Sequence, residues 1–178
     1  MSYDLFVFAP ALPGDLRGAW QTALAATGLE CEVDPEFDPA DQSGYLAWKF
    51  RVANKDVFRT AALYPTHAVD AGFELRIRPA DVDLADWKTA SPEVVKRLSK
   101  AKHELLFSNP FGCKPEEFRL QWFAAATLAQ LTGGVLQDPQ EEKSFLGEDT
   151  LPEAEYQANK FEEDQDAEWP ESPAFDGW

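Results

Sequence analysis

Hydrophobic positions change period several times along the chain, and each change marks an element. Residues 3–8 (YDLFVF) form a short apolar run that predicts a buried first strand, closed by Pro10 and Pro13. From Asp15 to Thr27 the period lengthens. Leu16, Trp20, Ala23, Leu24 and Thr27 fall near one face, which predicts a helix, and Gly28 is placed to stop it. Residues 29–33 predict a second strand and residues 34–44 a polar loop. Residues 45–52 alternate, with Tyr45, Ala47, Lys49 and Arg51 opposing Leu46, Trp48, Phe50 and Val52. Period two marks a half-buried strand. Asn54-Lys55-Asp56 predicts a turn into a strand over residues 57–64. Phe73, Leu75 and Ile77 mark one side of a further strand over 73–78. Successive strands with short links predict an antiparallel meander.

The pattern then turns helical. Ser91-Pro92-Glu93 is a helix start, with serine at the cap and proline in the first turn. Val94, Leu98, Ala101 and Leu105 supply an apolar stripe, so the helix is expected to run on to the stop at Asn109-Pro110. A second helix is predicted over residues 115–131. Its apolar side chains occupy nearly every face, the mark of a buried helix. Gly133-Gly134 ends it, and residues 135–137 read as a short last strand. The expected order is β-α-β-β-β-β-α-α-β. That is an α+β domain over residues 1–140, a mostly antiparallel sheet with helices on one face. Residues 141–178 are expected to form an acidic, aromatic-containing C-terminal extension.

Charge changes the picture at that extension. The chain has 178 residues and a formal net charge of −16. Residues 138–178 hold 14 acidic residues against Lys143 and Lys160, a net of −12, which leaves −4 for residues 1–137. The same segment carries Phe145, Leu146, Leu151, Tyr156, Phe161, Trp169, Phe175 and Trp178, more apolar surface than a solvating tail needs. Carboxylates interleaved with rings suit docking on a basic, partly apolar surface. That surface could be the chain's own, since Lys96, Arg97, Lys100, Lys102 and His103 make the most basic stretch. It could equally belong to a partner. The expected partner contacts are Asp34, Glu36, Asp38 and Asp41 in the acidic loop. In the extension they are Glu162, Glu163, Asp164, Asp166, Glu168 and Trp169. So negative a field disfavours nucleic acid and anionic membranes as partners.

Motifs that carry chemistry are missing. His67 and His103 stand in unrelated segments, outside any HExxH or Cys/His ligand spacing, and there is no G-x-S-x-G, P-loop or G-x-G-x-x-G. Asp164-x-Asp166-x-Glu168 has the opening spacing of a calcium loop, but Trp169 stands where glycine must turn. Asp34-x-Glu36-x-Asp38 fails at Pro39. No catalytic residue, metal or cofactor is expected. The opening run lacks a basic leader and is broken by Asp4 and Pro10, and no apolar stretch reaches spanning length. With two lone cysteines, Cys31 and Cys113, a cytoplasmic protein with buried thiols is expected.

Two stretches carry a resemblance. Ser2-Tyr3-Asp4-Leu5-Phe6-Val7-Phe8 resembles the first strand of small bacterial cytosolic proteins found beside polymorphic or contact-delivered toxins. Thr132-Gly133-Gly134-Val135-Leu136-Gln137-Asp138-Pro139-Gln140 resembles the helix-to-last-strand junction of the same group. Both motifs are architectural and transfer no active residue. The resemblance implies an immunity protein that binds and occludes a cognate toxin. Two other classes stay open. One is an adaptor or chaperone for a secreted effector, which needs an exposed apolar groove. The other is an enzyme or small-molecule-binding domain, which needs a pocket between sheet and helices.

Overall fold

The computed structural model describes residues 2–59, 64, 67–110, 112–164 and 174–178. It is an α+β protein whose seven strands form one antiparallel sheet. In chain order the elements are β1 (Ser2–Ala9), α1 (Leu16–Ala26), β2 (Leu29–Val33), β3 (Ser43–Val52), β4 (Val69–Pro79) and α2 (Pro92–Leu98). They continue with β5 (His103–Pro110), α3 (Pro115–Thr132), β6 (Val135–Asp138), β7 (Lys143–Leu146) and α4 (Thr150–Asp164). The strands lie in the order β2-β3-β4-β5-β1-β6-β7.

Strand alternation builds two unequal layers. Leu5, Val7, Leu46, Trp48, Phe50, Phe73, Leu75, Leu105 and Phe107 point to the face covered by α1, α3 and α4, and form the main core. The opposite face is covered at one end by the short α2 and a 3-10 turn at Leu84–Trp87. There Phe8, Val94, Leu98 and Val135 make a small second cluster. Over β2 and β3 that outer face carries cross-strand ion pairs, Glu30–Arg51 and Glu32–Lys49. The Lys49/Arg51 strand face therefore serves its own sheet.

α3 runs through the middle of the helical layer and is buried over most of its length. Glu117 folds back on the Lys114 backbone N–H at 2.8 Å, closing the helix start. Gly133 ends the helix with φ +64, and the next glycine is required for contact. A Cβ on Gly134 would lie 2.4 Å from the Phe8 carbonyl oxygen, so only glycine lets β6 enter beside β1. Within α3, Gln121 Nε2 donates to the carbonyls of Tyr3 and Phe107, and Trp20 Nε1 of α1 donates to the Ala124 carbonyl. Polar atoms are thereby satisfied inside an apolar layer.

Three expectations are corrected. The helix begun at Ser91 stops at Leu98, and residues 103–110 are a strand. Leu105 and Phe107 fit either period, but as β5 they pair with β1 on one side and β4 on the other. A place between two strands outweighs about three more helical turns. No strand follows the Asn54 turn at residues 57–59, which lie in turns, and residues 60–63 fall outside the described residues. The segment after Gln140 is not an extension as far as Asp164. β7 pairs with β6, and α4 packs on α3, burying Ala154 and Ala158 in the main core. A boundary at 140/141 would cut a hairpin.

Candidate functional site

Residues 141–164 fold as a strand and a helix with an acidic outer surface, and helical spacing decides which carboxylates stay outside. Thr150, Ala154, Gln157, Ala158 and Glu162 are the buried positions of α4. Glu162 thus falls one turn beyond Ala158 on the inward stripe. It meets Arg119 of α3, also fully buried, with Nε 2.6 Å from Oε1. The Tyr64 hydroxyl donates to the same carboxylate oxygen, and Arg119 Nη2 donates to Asn159 Oδ1 at 2.7 Å. Phe58 stacks over the guanidinium at 4.7 Å. Burial raises the Tyr64 pKa well above the usual tyrosine range, and the adjacent Glu162 charge adds to this. Burial works against the Arg119 charge, but Glu162 and Tyr64 outweigh it and hold the guanidinium protonated. The cluster ties α4, α3 and the β3–β4 connection together.

The neighbouring acids have other fates. Glu163 is exposed and pairs with the exposed Arg59 at 2.9 Å. Asp164 is exposed. Glu141 pairs with Lys143 at 3.3 Å across exposed side chains. Glu142, Glu148, Asp149, Glu153, Glu155 and Asp164 make no ion pair among the described residues, and all are exposed or half-buried. Within one helical turn of Glu153 and Glu155, Tyr156 stands 57% exposed.

Beside this surface, where β1 begins, α3 starts and α4 ends, lies a cavity of ≈ 340 Å³. Tyr3, Cys113, Phe118 and Phe161 line it, and the exposed Glu141, Lys160 and Asp164 stand at its mouth. Phe118 and Phe161 stack at 4.1 Å, and Tyr3 meets Phe118 edge-on at 4.9 Å. The Tyr3 hydroxyl is held by the buried Asp138 at 2.7 Å. Burial, with the Glu117 charge behind it, pushes the Cys113 thiol up to about 12. A thiol held protonated in this way is a poor nucleophile.

The seven described residues among the ten expected to contact a partner are not brought together. Asp34 and Asp38 fold back on their own loop, accepting from the backbone N–H groups of Glu36 at 2.8 Å and Ala40 at 2.9 Å. Glu36 and Asp41 are exposed, while Phe37 between them plugs the core against Trp20. This loop adjoins the first residue of β3, whereas the connection carrying Phe58 and Tyr64 follows its last. At about 3.3 Å per residue the strand alone separates them by roughly 30 Å. Glu162 is 2% exposed and cannot reach a partner. Asp166, Glu168 and Trp169 lie outside the described residues. Among the described residues no carboxylate of residues 141–164 pairs with the basic stretch, although Leu146 of β7 packs beside Val94 and Leu98 of α2. α2 lies on the opposite face of the sheet, where Lys96 and Arg97 pair with Glu93.

Sequence reasoning missed Arg119, and it counted Tyr156 among the extension's rings without naming it as a contact. An arginine between Phe118 and Leu120 in a helix apolar all round was a usable signal, because a buried charge demands a partner. Among the described residues no group of His, Cys, Asp and Glu side chains could hold a metal ion, and no helix is long and apolar enough to cross a membrane. Compared with known proteins, the chain matches no family model, and no curated protein or solved structure is significantly similar to it.

Proposed function

We propose that the protein is an immunity-type inhibitor that binds a cognate bacterial toxin and occludes it with an acidic surface. One observation carries this reading. After residues 141–164 have folded and spent Glu162 on the core, six of their carboxylates make no ion pair among the described residues, and two of these, Glu153 and Glu155, lie within one helical turn of the exposed Tyr156. Had the fold consumed these carboxylates, no acidic surface would remain there to offer. A ring set among unpaired carboxylates supplies an anchor and an attractive field at once. Toxins that act on nucleic acids or nucleotides present basic clefts, and carboxylates can stand in for phosphates there. The outer sheet face favours an inhibitor over an adaptor, because over β2 and β3 it carries ion pairs where an apolar groove would be needed.

The test is co-purification with the product of the adjacent gene, followed by titration of the purified pair at low and high salt. Replacing Glu153 and Glu155 by lysine should slow association and weaken the complex by at least about tenfold, while near-UV circular dichroism stays unchanged. Tyr156→Ala should cost about 2 kcal/mol of binding. The reading fails if the neighbour is not a toxin, if no complex forms, or if affinity ignores both charge reversal and ionic strength.

A further inference from the structure

We infer that the cavity beneath Tyr3, Phe118 and Phe161 receives an arginine side chain of the inhibited partner. This deepens the inhibitor reading and rests on it. The argument begins with shape. A space of ≈ 340 Å³ lies at the small end of ligand sites and is roomy enough for a guanidinium with its aliphatic stem. Its walls are aromatic: the stacked Phe118–Phe161 pair, with Tyr3 edge-on. Its mouth carries two carboxylates, Glu141 and Asp164, against one ammonium, Lys160.

Each class of occupant can be weighed against that lining. An anion would meet two like charges. A neutral ring would fill the space but desolvate the two carboxylates without pairing them, which is costly. A lysine ammonium is compact and strongly hydrated, and gives up its water reluctantly. A guanidinium is flat and weakly hydrated. It stacks on ring faces while its N–H fork pairs with carboxylates, so both parts of the lining are used together. Glu141 already pairs with Lys143, but both are about half exposed, and such a pair is weak enough for an incoming guanidinium to displace. Lys160 is exposed and can swing its ammonium into solvent along its flexible stem. The cavity is also continuous with the proposed contact surface, since Tyr156 lies one helical turn before Lys160.

The experiment uses the full chain and two probes, Nα-acetyl-L-arginine amide and the neutral Nα-acetyl-L-norleucine amide. Ring signals of Tyr3, Phe118 and Phe161 are followed by NMR. The arginine probe should shift these rings with a millimolar dissociation constant, about tenfold tighter than the norleucine probe. A variant carrying Glu141→Gln and Asp164→Gln should lose that preference. Both positions are exposed, and an unchanged near-UV spectrum would confirm its fold. The same variant should bind the partner about tenfold more weakly. Three results overturn the inference: no ring shifts, equal response to both probes, or a partner complex indifferent to the double variant. The last leaves the inhibitor reading standing. Selective arginine binding with no partner complex under any condition sinks the inhibitor reading and makes the cavity a small-molecule site instead.

Discussion

The acidic loop between β2 and β3 and the acidic helix α4 have similar composition and opposite roles. In the loop, Asp34 and Asp38 cap their own turns, and the ties to the rest of the fold are Phe37 against Trp20 and hydrogen bonds to backbone carbonyls, such as Arg17 Nη1 to Pro35. In α4 the ties are apolar and ionic together. Ala154 and Ala158 are buried, and Glu162 is delivered one turn later to Arg119. A run of acids therefore says little until the backbone period is known. Where the chain turns every two residues, a carboxylate closes on its neighbour. Where it turns every 3.6, a carboxylate can be carried into the core beside an alanine stripe.

That contrast can be broken most sharply at Arg119. Arg119→Ala leaves the Glu162 charge buried without its cation, and should cost about 3–5 kcal/mol in urea unfolding, whereas Glu163→Gln, one residue on, should stay within about 0.5 kcal/mol. Replacing the pair together, Arg119→Met with Glu162→Leu, should recover most of the loss. If Arg119→Ala proves harmless, α4 is not locked as described. In the loop, Phe37→Ala should cost about 3 kcal/mol by the same measurement.

Alkaline pH separates the regions again. Burial holds the Tyr64 hydroxyl, which donates to Glu162, above its ordinary 10.0. Above pH 10 the unfolded chain releases this proton while the fold keeps it. The fold then binds more protons than the unfolded chain, so stability falls as pH rises, by up to about 1.4 kcal/mol per pH unit for each such group. Tyr3 is raised by burial too and adds to the same limb. Thermal unfolding between pH 8 and 11 should show the decline, and Tyr64→Phe should make it shallower. The smallest effect belongs to the loop's turns. Asp38→Ala should lower stability by about 1 kcal/mol or less. It should also leave partner binding unchanged, because the loop lies at the far end of β3 from α4.

Much of this was legible in the residues. The alternation of residues 45–52, the helix start at Ser91 and the all-round apolar α3 with its stop at Gly133 placed those boundaries to within a few positions. β5 was lost because Leu105 satisfies both periods. Only the neighbouring strands, roughly a hundred residues earlier in one case, decide between them. α4 was lost because its outward acids dominate the composition. Its signal was the four-residue spacing of Ala154, Ala158 and Glu162, a narrow stripe in a polar segment. As for the site, the sequence showed that negative charge accumulates after Asp138. It could not show which carboxylates point outward, since that depends on where α4 lies against α3. Tyr156 and the cavity follow from that packing.

The place of β1 bears on how the chain is made. Its partners are β5 and β6, which the ribosome delivers about a hundred residues later. At about 5–20 residues per second, the first strand emerges with both edges bare and waits several seconds for either neighbour. Early collapse can therefore gather only α1, β2, β3 and β4, and the sheet closes late, by insertion of a strand that was synthesised first. Slow, non-local assembly of this kind leaves Leu5, Phe6, Val7 and Phe8 open to chaperones, or to another nascent copy, for longer than any other strand of the sheet.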